Sequence, residues 1–421
     1  MSLRDVLRPI GHPVMQAVRY QLDKWKDYST KRVLIKLKEK KYSHDVVRVG
    51  FIVQISSVWD KEKSIFERMC ADERFDPYLL IVPNFDIKLS KLSDYDSDKM
   101  FFLNEVKQEK QGIITYKCNR WINLRELKFD YIFYGRPYDT YLPRHMHSDE
   151  VIKYAKTCYI PYATSELKNT VTRPKFFFRN LYIGFMEDIG AAHEMQIKFA
   201  NNCKDNLQKF VSIGYPVFER CMELSYDCQY KKVMWAPRWT YDETVGGSHF
   251  FEYIYELEDY SWGSVEFIIR PHPLMWDNFI RTGLCDENYI TERKSVWREQ
   301  GIIEDTNKMI EKSFQDTDVL IADSSSVIAM FFMTSRPIIF CPKEPHNEEE
   351  LSSILKTILP GLYVARSWND LKHYLDMLLC EHKDVLRDKR KEIIHKYFKE
   401  NKEATNNIVE YIYRDFIEVI D

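Results

Sequence analysis

Residues 316–340 read DTDVLIADSSSVIAMFFMTSRPIIF, and the order of residue types in this stretch decides the fold class. The aliphatic run over 319–322 has the length and β-branched character of a buried strand. It ends in Asp323, Ser324, Ser325 and Ser326, an apolar helix begins at once, and RPIIF supplies the next strand. A strand, helix and strand this closely spaced predict a parallel sheet covered by its crossover helices. The serines then lie at a strand's carboxyl end and a helix's amino end. In open α/β sheets ligands bind at that place, and free N–H groups with the positive end of the helix dipole favour phosphate there. The same residue types also make an ordinary helix cap, since Ser and Asp are preferred at that position.

The rhythm extends in both directions. KKVMWAP (231–237) and VEFIIRPHP (265–273) read as further strands of the same domain, and NKMIEKSFQ (307–315) reads as a helix. Earlier in the chain, VVRVGFIVQI (46–55), YLLIVP (78–83), GIITYK (112–117), FDYIFYG (129–135) and TCYIPYA (157–163) give an independent strand series with helical segments between them. The expected architecture is α/β. A basic helical arm covers 1–45, an acceptor-side α/β domain 46–212, a donor-binding α/β domain 213–385, and C-terminal helices 386–421 cap the second domain or cross back to the first. Two such domains facing one another make the cleft between them the default binding site.

At 421 residues, with 45% apolar and 14% aromatic residues, the chain has ample means to build cores, and disorder as its main state is excluded. Sixty-one basic against 64 acidic residues leave a charge of -3, so no whole-chain field draws nucleic acid. The nine cysteines include no CxxC pair and no zinc-ligand spacing, as expected of reduced thiols in a cytosolic protein, and no metal site is expected. Neither GxGxxG nor GxxxxGK[ST] occurs, so any nucleotide is held some other way.

The charge is uneven. Residues 1–41 hold eleven basic and four acidic side chains, a head of +7 on a remainder of -10. VMQAVRYQLDKWK (14–26) and TKRVLIKLKEKK (30–41) read as two amphipathic basic stretches suited to an anionic membrane surface, each nearby cation contributing about 1 kcal/mol. The alternative is a solvated arm packed on its own protein. No apolar run reaches membrane-spanning length and no secretory leader is recognised, so the expected location is cytoplasmic, peripheral on the inner face of the cell membrane.

Three strand ends of the second domain converge on one rim. VEFIIRPHP brings Arg270 and His272 beyond a strand with prolines on both sides of the histidine, MWAPRWT brings Arg238 and Trp239, and the opening stretch brings Asp323 and the three serines. Arginine forks phosphate oxygens, and an imidazolium donates a hydrogen bond or a proton to a leaving diphosphate. The ordered series Gly214, Tyr215 and Pro216, then Ala236 to Trp239, Arg270 to Pro273, Asp305 to Asn307, Asp323 to Ser326 and Arg336 to Phe340 resembles the CDP-glycerol glycerophosphotransferase family, the teichoic-acid primases and polymerases and related capsule enzymes.

That resemblance implies a GT-B-like fold, two Rossmann-type domains facing a central cleft, with a CDP-alditol donor such as CDP-glycerol or CDP-ribitol on the C-terminal domain. It implies that His272 and the turn of Ser324, Ser325 and Ser326 hold the donor diphosphate; Arg238 and Asp323 are counted in the same diphosphate-binding set, and Arg270, His272 and Arg238 are expected to stabilise the charge that develops. An acceptor hydroxyl on a glycan or lipid-linked molecule attacks, and CMP leaves. No cofactor is implied beyond the donor. Family members often carry a W-H-G-T motif whose histidine serves as base, whereas this chain reads YIPYAT with Tyr162 in that place. Tyr162 therefore stands among the catalytic candidates, with Glu166 and His193 as further candidate bases. Two other readings share the rim: a GT-B glycosyltransferase using a nucleotide sugar, and an inactive scaffold of a polymer-synthesis complex.

Overall fold

The computed structural model describes residues 3–86, 91–92, 96–106, 111–164, 174–243, 247–307, 309–343 and 350–418. Two parallel sheets organise them. The first comprises β1 (Val47–Val53), β2 (Phe75–Ile81), β3 (Gly112–Ile114), β4 (Tyr131–Tyr134), β5 (Lys156–Tyr159), β6 (Ile183–Phe185) and β7 (Lys209–Val211), in the order β7-β6-β5-β4-β1-β2-β3. The second comprises β8 (Lys232–Ala236), β9 (Glu266–Ile269), β10 (Ile303–Glu304), β11 (Val319–Ala322), β12 (Ile338–Phe340) and β13 (Tyr363–Val364), in the order β10-β9-β8-β11-β12-β13. Each sheet starts at its middle, runs to one edge, returns and runs to the other, which is the doubly wound Rossmann topology.

The central strands form because they are apolar on both faces. In β1 Val49 stands opposite Pro77 on one side and Tyr131 on the other, and β11 is buried throughout. In such sheets the strand order reverses once, and the crevice beyond the carboxyl ends at that reversal accepts ligands. The reversal falls between β1 and β4 in the first sheet. Gln54 and Arg136 follow those strands. In the second it falls between β8 and β11, followed by Arg238 and by Asp323 to Ser326.

Helices tie the sheets together. They include α1 (Leu3–Lys38), α2 (Asp60–Cys70), α3 (Pro216–Glu223), α4 (Phe250–Asp259), α5 (Val327–Phe332) and α6 (Ala404–Ile417). One hydrophobic cluster runs from Phe51 and Phe133 of the first sheet through Tyr215 and Phe218 to Leu320 and Ile338 of the second. Where the chain crosses between sheets, Gly214 has φ +113°, and a Cβ there would lie 2.6 Å from that of Ala404, so glycine is required on both counts. The carboxyl edges meet across the cleft: Thr164 Oγ1, beyond β5, donates to the Ser326 carbonyl at 3.5 Å, and Tyr215 donates to the Pro161 carbonyl at 2.9 Å.

The last helix returns to the first sheet. Asp415 of α6 accepts from Lys156 Nζ at 2.7 Å, Lys209 Nζ at 2.6 Å, Tyr131 at 2.6 Å and Tyr182 at 3.1 Å, all beneath β4 to β7. The two amphipathic stretches expected at the amino end are instead one continuous helix, α1. Asp27 and Thr30, where the two stretches adjoin, bond to Arg179 and Asn180 of the first domain. Tertiary contacts override the local preference of such residues for turns.

Candidate active site

Asp323, the three serines and Arg238 stand at the second sheet's reversal, while Asp323, Arg270 and His272 each depart from the part expected of them. Asp323 is fully buried. Its oxygens accept from the Arg238 N–H at 2.9 Å, the Ser248 hydroxyl at 3.1 Å, the His249 N–H at 3.3 Å and His249 Nδ1 at 3.1 Å. It therefore holds the β8 and β11 loops together and does not face a ligand. A carboxylate in that position fixes its donors instead of repelling a diphosphate. Ser324 and Ser325, next along the turn, each have a buried hydroxyl with no hydrogen-bond partner. Ser326 occupies the cap position of α5 without a side-chain cap bond. Buried hydroxyls are nearly always paired, which singles these two out on the rim.

Arg238 is buried and its guanidinium donates to the Ser324 carbonyl, so its charge lies directly under the serine turn. Arg270 differs from its expected role. Its guanidinium bonds Asp305 Oδ2 at 2.6 Å, Ser313 Oγ at 2.8 Å and the Asn307 carbonyl at 3.0 Å. It braces the 305–307 turn and acts on the rim through its field.

His272 is half-buried beside both arginines. Burial, then Arg238 and Arg270, lower its pKa to about 4, so at neutral pH it is an imidazole and not the imidazolium expected. Its Nδ1 accepts from the Leu274 N–H at 3.1 Å, which places the ring proton on Nε2. His272 is thus a neutral donor with a fixed tautomer, and Trp239 stands against it at 6.4 Å between ring centroids.

On the opposite rim, Tyr162 shares a 2.9 Å hydrogen bond with Tyr138. Burial, then that hydrogen bond, raises the Tyr138 pKa. His193 lines a separate groove beside β7, away from the cleft, and Glu166 lies outside the described residues. Arg136, at the first sheet's reversal, donates to Gln54 Oε1 at 3.0 Å and to Asn84, and stacks on Tyr141. Among the described residues it pairs with no carboxylate, leaving its positive charge at the carboxyl edge of the first sheet. Asp60 opens α2 at the domain junction, where Arg220 of α3 donates to its carbonyl, and burial lifts its pKa to about 6. Arg136, Asp60 and His249 were not read from the sequence. The signal available was position, since Arg136 directly follows a reversal strand and His249 immediately precedes a helix.

No group of three or more His, Cys, Asp or Glu residues suited to a metal ion occurs among the described residues.

Two facing Rossmann-type domains with their strand ends on a common cleft define a GT-B-like architecture. Residues 219–414 match the family described as CDP-Glycerol:Poly(glycerophosphate) glycerophosphotransferase, in agreement with the resemblance read from the chain's motifs. No curated protein matches the chain. Among solved structures, the wall teichoic acid polymerase TagF superposes with TM-score 0.54 at 13% identity, over 97% of this chain and 98% of that one. MnaA of S. aureus bound to UDP gives 0.53 at 10% identity, over 89% and 98%. UDP-GlcNAc 2-epimerase of Neisseria meningitidis bound to UDP-GlcNAc gives 0.55 at 10% identity, over 87% and 100%. These likenesses share the fold.

Proposed function

We propose that the protein transfers an alditol phosphate, glycerol phosphate or ribitol phosphate, from a CDP-alditol to a hydroxyl of a glycan or lipid-linked acceptor in envelope-polymer synthesis. The observation that carries the reading is the pair of unpartnered buried hydroxyls, Ser324 and Ser325, on the cationic reversal point of a domain matching a CDP-glycerol transferase family. The acceptor hydroxyl attacks the β-phosphorus and CMP departs. Phosphoryl transfer of this kind depends on positioning and charge stabilisation more than on a strong base. The two serine hydroxyls and His272 Nε2–H donate to the diphosphate, Arg238 supplies charge from beneath, and Arg136 with the Tyr138–Tyr162 pair faces the acceptor. CDP-glycerol incubated with the protein and a phosphoalditol-bearing acceptor releases CMP. Release of UDP from a UDP-sugar under the same conditions, with no CMP from CDP-alditols, assigns the site to sugar transfer instead.

The arm supports attachment to an anionic membrane surface. Asp23 and Asp27 are turned to Arg179, Lys31 pairs with Asp205, and Leu34 and Leu37 are buried, so one face of α1 is packed. The opposite stripe carries Trp25 and Tyr28, 65% and 63% exposed, then Arg32 and Lys36. Aromatic rings and cations on one unpartnered helical face suit the headgroup layer. No described helix is long and apolar enough to cross a membrane. Replacing Trp25 and Tyr28 by alanine together lowers binding to vesicles rich in anionic phospholipid by about tenfold or more. Flotation indifferent to the substitutions or to the anionic lipid contradicts this face.

A further inference from the structure

The donor rim holds a second imidazole that nothing in the motif series marks. His249 stands at the amino end of α4 and is fixed on one side only. Nδ1 meets Asp323 Oδ1 at 3.1 Å, and the ring stacks on Tyr253 with centroids 4.9 Å apart. The adjoining main chain is also clamped: Lys343 Nζ donates to the Ser248 carbonyl at 2.9 Å, while the Ser248 hydroxyl donates to Asp323. The His249 side chain is 10% exposed, and Nε2 has no hydrogen-bond partner among the described residues.

A carboxylate only accepts, so the Asp323 contact places a ring proton on Nδ1 and leaves Nε2 as the unengaged nitrogen. Capping a helix needs no such arrangement, since one Ser or Asp side chain suffices. A separate observation points the same way. Ser324 Oγ and Ser325 Oγ, on the turn that begins at Asp323, are buried without partners. Two hydroxyls and an imidazole nitrogen gathered around one buried carboxylate make a polar subsite already held in shape.

We infer that His249 contacts the donor diphosphate through Nε2, the ring taking a second proton from solvent as it does so. The inference rests on the donor reading above. With Asp323 on one side and a phosphate oxygen on the other, the imidazole lies between two anions, which favours its cationic form. The other charged groups around it are Arg238, bound to the Ser324 carbonyl, and the Lys343–Glu252 pair at 2.9 Å. Tyr253 on its own helix and Tyr241 against Lys343 complete the titratable surroundings. No bond in the substrate changes in this step. His249 binds the donor and Asp323 positions the ring.

The test exploits the two ring nitrogens. In His249→Asn the amide nitrogen falls near Nδ1 and nothing replaces Nε2, whereas His249→Gln supplies an amide near Nε2. Calorimetry with CDP-glycerol is expected to show about tenfold to hundredfold weaker binding for the Asn variant and a smaller loss for Gln, with melting temperatures close to wild type. Repeating the titration in buffers of different ionisation enthalpy is expected to show proton uptake by the wild type and less by the Asn variant. Equal affinity and equal proton uptake in the wild type and the folded Asn variant overturn the inference. Should Asn fail to fold, wild-type proton uptake in the Gln variant overturns it as well. A wild-type protein that binds no CDP-alditol contradicts the donor reading itself, whereas wild-type binding with no effect of the Asn substitution contradicts only the role of His249.

Discussion

Replacing His272 with alanine lowers kcat/KM for the CDP-alditol on the order of a hundredfold or more while the protein stays folded. The size follows from where the ring is. Nε2–H is a preorganised donor, fixed by the Leu274 N–H on Nδ1 and flanked by Arg238 and Arg270, in a partly desolvated rim where each such donor counts for more than in water. The pH dependence has a definite sign. With a folded pKa of about 4 against an ordinary value near 6.5, the unfolded chain binds more protons between those limits, so this group makes stability rise with pH across that window, and its contribution is fully present and constant above it. The free protein's His272 resonance is expected to titrate near 4 by NMR. A midpoint near 6.5, or an alanine variant with wild-type turnover, contradicts the role given to this residue.

Replacing Asp415 with alanine is expected to destabilise the protein by about 3–5 kcal/mol, read as a lowered denaturant midpoint. Burial raises the Asp415 pKa, but Lys156 and Lys209 outweigh its effect and hold the carboxyl below its ordinary range. Removing it leaves Lys156, whose side chain is fully buried, without its counter-charge, and deprives Tyr131 and Tyr182 of their acceptor. The contact also anchors the helix that returns from the second domain to the first. Combining Asp415→Leu with Lys156→Met recovers part of the loss, because a well-packed apolar pair avoids the uncompensated charge. A single variant within about 1 kcal/mol of wild type would show that α6 is held by its apolar face alone.

The central strands were legible because each is a short apolar run, several of them ended by Pro, Gly or a charge, as in 78–83 and 319–323. β6 and β7 were not, since three-residue strands carry no period, and Gly184 within β6 weakens even its composition. They exist because Ile183 to Phe185 pair in register with Lys209 to Val211 beside an established sheet edge. The rim's location was legible for the same local reason: Ser324, Arg238 and His272 directly follow strands. Their pairings were not, because charge partners lie far along the chain. Arg270 is consumed by Asp305, 35 residues on, and Asp323 by His249, 74 residues back. A sequence shows which charges reach an edge, whereas folding decides which of them neutralise one another before a ligand arrives.

A crystal structure of the protein with CDP-glycerol shows where the donor diphosphate sits. The diphosphate is predicted to lie against the Ser324–Ser326 turn, within hydrogen-bond distance of the Ser324 and Ser325 hydroxyls and of His272 Nε2. A nucleotide seated elsewhere, with those hydroxyls still unpartnered, contradicts it.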